Sequence, residues 1–229
     1  MKRNVEFKMI MLVCIAACTM VACERAPKGD NATIGEKEVA VERTGQDFIV
    51  DTARSYVKFT GHGVGKNHPG ILKLSQGKVS VENDSISGGS FIVDIRSMVM
   101  EQKAADIKAK LRPHLLSGDF FDASKFPSSK FEVTNIVPYE SRDSLKSLVE
   151  GANFLVSGNL TLKDVTKNVS FPARVDLDGE TLKTKANFDI DRTQWQMNYG
   201  NDKTLGDKFI SEKVNIELYV EARKIDGAI

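Results

Sequence analysis

From Phe154 onward the chain alternates with a period of two, and this constrains its fold more than any other feature. Phe154, Val156, Leu160 and Leu162 stand one step out of phase with Leu155, Ser157, Asn159, Thr161 and Lys163. The pattern returns in Val169, Phe171, Ala173, Val175 and Leu177, in Leu182, Ala186, Phe188 and Ile190, and in Val214, Ile216, Leu218 and Val220. A period of two sends alternate side chains to opposite faces of an extended chain, so each segment reads as a half-buried strand.

The first half adds further strands at Phe48 to Val50, Tyr56 to Thr60, Phe91 to Ile95 and Lys130 to Val137. Leu72 and Leu74 differ in parity from Val79 and Val81, which predicts a bulge or turn at Gln76-Gly77. Asn83-Asp84 is a hairpin turn. One helix is expected over Glu101 to Leu111, where Ala104, Ile107 and Leu111 share a face and Lys103, Lys108 and Lys110 lie elsewhere, with Pro113 ending it. Tyr139 to Ala152 is polar enough for a mobile loop. About eight one-sided strands and a single helix predict an all-β domain, a closed barrel or a two-sheet sandwich. An eight-stranded barrel is just wide enough for packed side chains or one ligand.

The N-terminus sets the compartment. Lys2, Arg3 and Lys8 precede an apolar run from Met9 to Ala22, which at about 14 residues is shorter than the roughly 20 of a retained membrane helix. The segment reads as a secretory signal ending in Met20-Val21-Ala22-Cys23, which is similar to the site at which bacterial lipoproteins are cleaved and acylated. Cys23 is therefore the expected lipidation site, with Ile15-Ala16-Ala17-Cys18 as the alternative. Residues 1–22 form the signal peptide, 23–46 are expected to be a flexible tether from their polar, aperiodic composition, and 47–229 form one domain. Glu24 after the cysteine resembles outer-membrane sorting in enterobacteria, facing the periplasm.

All three cysteines, Cys14, Cys18 and Cys23, lie in this first segment, so the domain itself has no disulfide, thiol nucleophile or cysteine metal site. Its apolar core must carry its stability. Removing residues 1–22 moves the formal net charge from +1 to about −1, far from the basic footprint of a nucleic-acid binder. There is no Gly-x-Ser-x-Gly, no phosphate-binding loop and no His-Glu-x-x-His, and no cofactor is expected. Gly61-His-Gly-Val-Gly65 does not have the spacing of a nucleotide loop. The three histidines, His62, His68 and His114, are not spaced as metal ligands.

The segments covering residues 48–61 and 65–98, the segment 114–136 containing DFFDASKFP, the segment 158–175 beginning GNLTLKDVTK, and residues 188–200 follow in an order that resembles the YceI-like family of bacterial envelope proteins. The likeness covers about residues 47 to 223. It implies a lipocalin-like antiparallel eight-stranded barrel around a long apolar tunnel that holds a polyisoprenoid, a quinone tail or a fatty amide. Phe59 stands where relatives often carry tryptophan.

On that reading the ligand is a long-chain isoprenoid or fatty lipid, and the protein is a non-catalytic carrier tethered to a membrane by its lipid anchor. Candidate wall residues are Phe59, Phe91, Phe120, Phe121, Phe126, Phe131, Leu160, Phe171 and Phe188, although a solid core would need the same side chains. His68 and Tyr199 are candidates for polar contact with a headgroup, Leu111, Leu115 and Leu116 for a lid, and Trp195 for a ring at the barrel end. Asp191 and Arg192 read as a structural turn pair. Two other classes compete: a lipid-processing enzyme using His68 or His114 with an acid such as Asp119, and a solid-cored adhesion or inhibitor module. A homodimer is left open.

Overall fold

The computed structural model describes residues 24–102, 104–140 and 146–225; the expected signal peptide, Cys23 and Lys103 lie outside them. The elements in chain order are β1 (Asp30–Asn31), β2 (Thr33–Glu36), β3 (Gln46–Val50), β4 (Tyr56–Gly63), β5 (Lys66–Glu82), β6 (Ser85–Met100), α1 (Ala105–Leu116), β7 (Ser128–Pro138), β8 (Phe154–Leu162), β9 (Val165–Leu177), β10 (Thr181–Asp191) and β11 (Ile210–Lys224). Two short 3₁₀ turns, Arg192–Trp195 and Lys203–Lys208, separate β10 from β11.

These strands form a closed antiparallel eight-stranded barrel with one short helix, one of the two architectures the alternation allows and the one the family resemblance implies. Both β3 and β4 pair with β5 and β11, at opposite ends, so the two share one strand position in the wall. The ladder then runs from β5 through β6, β7, β8 and β9 to β10 and back to β11. The parity change in β5 is a bulge, because the register with β6 slips between Leu74 and Gln76. At the hairpin beyond it, Asn83 and Asp84 both take positive φ, 50° and 59°, as a tight two-residue turn demands.

One end of the barrel gathers the β4–β5 hairpin, α1 and both 3₁₀ turns. We call it the helix end. The helix spans Ala105–Leu116 and not Glu101 to Leu111, because Glu101 still behaves as strand, its N–H donating to the Pro69 carbonyl at 2.9 Å. Pro113 does not end the helix but sits in its final turn. There the Ser117 hydroxyl and N–H both donate to the His114 carbonyl, which closes the helix at Leu116.

The segment expected to be a flexible tether is instead laid on the barrel over residues 24–45. It begins at the β4–β5 hairpin, where the Glu24 N–H donates to the Gly65 carbonyl at 3.3 Å and the Asn67 side chain donates to the Arg25 carbonyl at 2.9 Å. Passing over β11, it meets β10, where Gly29 lies so close to Phe188 that a Cβ would fall 2.6 Å from its backbone. Strand β9 pairs with β10 only between Arg174–Leu177 and Leu182–Lys185. Beyond that point β1 pairs with β10, β2 pairs with β9, and the half-buried Ala32 and Ile34 pack on the core. The chain continues to β8, exchanging two hydrogen bonds between Glu38 and Asn159, and then to β7, where the Val41 N–H donates to the Val133 carbonyl. It ends beside β6 with Arg43 on Ser90 before becoming β3. Composition alone missed this girdle because its bonds are made mostly by the backbone, for which polar side chains give no signal.

Candidate functional site

Inward rows of the barrel strands enclose a cavity of about 310 Å³. The row from β4 is Val57, Phe59, Gly61 and Gly63; Leu72 and Leu74 come from β5, and Leu111 and Leu115 close the space from α1. Four rings cross one wall in succession. Phe91 lies 6.3 Å from Phe131, Phe131 lies 5.9 Å from Phe171, and Phe171 stacks on Phe188 at 3.9 Å. Each ring comes from a different strand, β6, β7, β9 and β10, so the ladder exists only in the closed barrel.

Polar side chains on this lining are few: His68, Ser129, Thr184, Arg192 and Ser211. His68 lies opposite Gly61 in the β4–β5 register, and the Gln102 side-chain nitrogen approaches its Nδ1 at 3.1 Å. That nitrogen also donates to the Asn67 carbonyl at 3.5 Å, so the Gln102 amide is the donor and Nδ1 the acceptor. The ring hydrogen of neutral His68 therefore resides on Nε2. Burial, with repulsion from Lys66 and His62 and weaker attraction from Glu24, holds the His68 pKa below its ordinary value of 6.5. His68 thus presents a neutral hydrogen-bond donor to the cavity at the helix end.

Arg192 is 4% exposed and, among the described residues, forms no salt bridge with a carboxylate. Its guanidinium donates to the carbonyls of Ser211, Met197, Tyr199 and Ile210 and lies 5.7 Å from the Phe120 ring. Burial lowers its pKa, against the attraction of Asp191 and Glu212. Asp191 caps the following turn instead, accepting from the Thr193 N–H and hydroxyl. Both residues are structural, but not as a pair.

Of the residues expected from sequence, Phe59, His68, Phe91, Leu111, Leu115, Phe120, Phe121, Phe131, Leu160, Phe171 and Phe188 line the cavity. Phe59 is seated over Gly70, where a Cβ would come within 2.5 Å of its ring. Four residues are placed elsewhere. Phe126 is half-buried in the turn after α1, where its N–H bonds to the Asp122 carbonyl. Trp195 has no exposed surface and fills the core beside the cavity, its indole N–H donating to the Leu160 carbonyl at 3.0 Å. Tyr199 is 47% exposed and packs edge-on against His114 at 4.7 Å, outside the lining. Leu116 packs on the core without reaching the cavity.

Sequence reasoning did not single out Gly61 and Gly63 as cavity positions. Their alternate spacing, in phase with Val57 and Phe59, was the available signal. Neither site has a tight neighbour: a Cβ at 61 would meet nothing within 4 Å, and one at 63 nothing closer than 3.8 Å. The lining is therefore unfilled beside His68, which lies across from Gly61, and we call this gap the port. His114 Nε2–H donates to the Asp119 carboxylate at 2.9 Å, away from the cavity lining. Among the described residues, no three His, Cys, Asp or Glu side chains are grouped to hold a metal.

A family model described as the YceI-like domain matches residues 48–222. A UPF0312 protein of Shewanella denitrificans is 27% identical over 184 residues, covering 78% of this chain and 87% of that protein. BcnA of Burkholderia cenocepacia superposes with a TM-score of 0.58 at 21% identity, over 75% of this chain and 98% of BcnA. A polyisoprenoid binding domain from Saccharophagus degradans, implicated in plant cell wall breakdown, superposes with a TM-score of 0.56 at 13% identity, over 78% and 98%.

Proposed function

The chain belongs to the YceI-like family, and on that premise we propose that it is a non-catalytic carrier of one long apolar chain, a polyisoprenoid, a quinone tail or a fatty amide. The observation that carries this reading is the cavity itself, walled by the four-ring ladder and aliphatic side chains with few polar groups among them. Each methylene moved from water into such a space contributes about 0.8 kcal/mol before ordering costs. A volume near 310 Å³ is at the lower end of ligand sites, about 300–1,000 Å³, and fits one slender chain. The polyisoprenoid-binding domain of Saccharophagus degradans, which shares the fold, supports the same ligand class.

The placement of the histidines favours binding over chemistry. His68 is held by an amide where a catalytic base would be held by a carboxylate, and the His114–Asp119 pair lies outside the cavity lining. We place the protein in the bacterial envelope as a lipoprotein acylated at Cys23, in the outer membrane facing the periplasm. Mass spectrometry of an organic extract from purified protein tests the carrier reading. One long-chain lipid per protein supports it; an extract without lipid overturns it in favour of a binding module with no small ligand.

A further inference from the structure

We propose that the helix end of the barrel is held against the membrane, so that the port at Gly61 and Gly63 opens onto the lipid headgroups. The inference rests on the lipid anchor at Cys23 and concerns what that anchor does to orientation.

The decisive observation is where the girdle begins. Glu24, the residue after Cys23, donates its N–H to the Gly65 carbonyl at 3.3 Å and accepts from the Asn67 N–H at 3.0 Å. Asn67 in turn holds the Arg25 carbonyl at 2.9 Å and meets His62 Nδ1 at 2.7 Å. His68, next to Asn67 in sequence, and Gly63, opposite Lys66 in the same hairpin, both line the cavity. One residue spans at most about 3.6 Å, so an acyl group attached one residue before Glu24 is tethered within that reach of this hairpin. A flexible run of residues 24–45 would have a reach of about 25 Å and leave the barrel free to tumble. The girdle removes that slack, because residues 29–38 are bonded to β10, β9 and β8.

The surface at this end suits a headgroup layer. Val64, at the tip of the β4–β5 hairpin, is 55% exposed, and Leu205, in the 3₁₀ turn beside β11, is 42% exposed. The same segments carry Arg25, Lys66, Lys203 and Lys208 as cations and Glu24, Asp202, Asp207 and Glu212 as acids. Glu24 and Asp202 are occupied by the backbone N–H groups of Asn67 and Thr204. An apolar chain leaving the bilayer then enters the barrel without crossing water.

The test uses the chain from Cys23 onward, in which Cys23 is the sole cysteine, coupled through its thiol to a maleimide lipid in phosphatidylethanolamine–phosphatidylglycerol vesicles. Lipids brominated high on their acyl chains quench a nearby indole. Val64→Trp should lose most of its added emission, whereas Ser85→Trp, in the hairpin at the opposite end, should keep it. The buried Trp195 is a common background to both. Inserting about twenty glycine and serine residues between Cys23 and Glu24 should abolish the difference. Equal quenching of the two probes, quenching of Ser85→Trp alone, or a difference that survives the insertion overturns the proposal. Chemical coupling reads the orientation whether or not cells acylate Cys23 and whether or not the cavity holds lipid. A missing acyl group in the mass of the cell-derived protein would defeat the anchor reading separately.

Discussion

Phe171 and Phe188 stack face to face, 3.9 Å between ring centroids and 8° between planes, just past the point where their strands stop hydrogen-bonding. Continued in register from Arg174↔Lys185, the ladder would pair these two residues. Instead the backbones part to admit β1 and β2, and the rings span the split from the cavity side. Phe188→Ala should destabilise the protein by about 3 kcal/mol, the scale of a buried ring lost from a core. With Phe171→Ala, a double-mutant cycle in urea should return a coupling of about 1 kcal/mol. Additive single effects would show that the stack bridges nothing.

Deleting residues 24–45 should leave an assembled barrel with an open split between β9 and β10. The half-buried Ala32 and Ile34 and the backbone bonds of β1 and β2 together imply a loss on the order of 3 kcal/mol. Hydrogen exchange should show faster labelling at residues 167–170 and 188–189, with the β5–β6 hairpin unchanged. Unaltered protection at 167–170 would mean that the girdle is not part of the wall.

Arg192 should not tolerate replacement by either Met or Lys. Met leaves four carbonyls without their donor, and a lysine ammonium lacks the planar fork that reaches all four. With charged hydrogen bonds near 1.5–3 kcal/mol each, a loss of at least about 3 kcal/mol is expected for Arg192→Met in urea denaturation. A change below about 1 kcal/mol would place the folding role elsewhere.

The depressed pKa of His68 has a definite sign. The folded protein binds a proton there less readily than the unfolded chain, so stability from this site is complete above 6.5 and declines as pH falls from 6.5 through the folded-state pKa. Protonation also puts a hydrogen on Nδ1, where the Gln102 amide already donates. Ligand retention should weaken over the same window. Thermal melts and ligand retention for His68→Gln should lack that pH-dependent component, although affinity at neutral pH falls by no more than about tenfold, one hydrogen bond's worth. An identical acid dependence in wild type and variant would show that His68 is not the group responsible.

Gly61→Leu should obstruct the port without disturbing the wall, since a Cβ at that position meets nothing within 4 Å. Uptake of a fluorescently labelled isoprenoid alcohol should slow by about tenfold or more, with an unchanged melting temperature for the empty protein. Unchanged uptake would move the entrance elsewhere on the barrel.

The strands were legible because burial on one side writes itself into the sequence as alternation, and β8 to β11 follow the predicted apolar rows closely. The aromatic wall was legible for the same reason. Trp195 lies at the expected barrel end, but neither it nor Tyr199 reaches the lining, because an aromatic residue after a strand carries no record of which way its turn folds. Here Trp195 points into the core beside Leu160 while Tyr199 stays on the surface. Helix α1 starts later than its pattern predicts because pairing with Pro69 keeps Glu101 extended, a tertiary preference that no local window contains. The girdle and the port were illegible in a deeper sense. One is built from main-chain bonds, and the other from two side chains that are not there.

The girdle also fixes an order of events. Its partners are remote, with Gly29 bonded 160 residues away at Asp189 and Glu38 bonded 121 residues away at Asn159. Contacts of such separation form late, after the strands that supply them have found their places. The residues synthesised near the start of the chain are therefore among the last to dock, and assembly runs counter to synthesis. Until β10 and β11 are in register, the N-terminal stretch has nothing to close around, and the nascent barrel is a cup with a slit side before it is a sealed vessel.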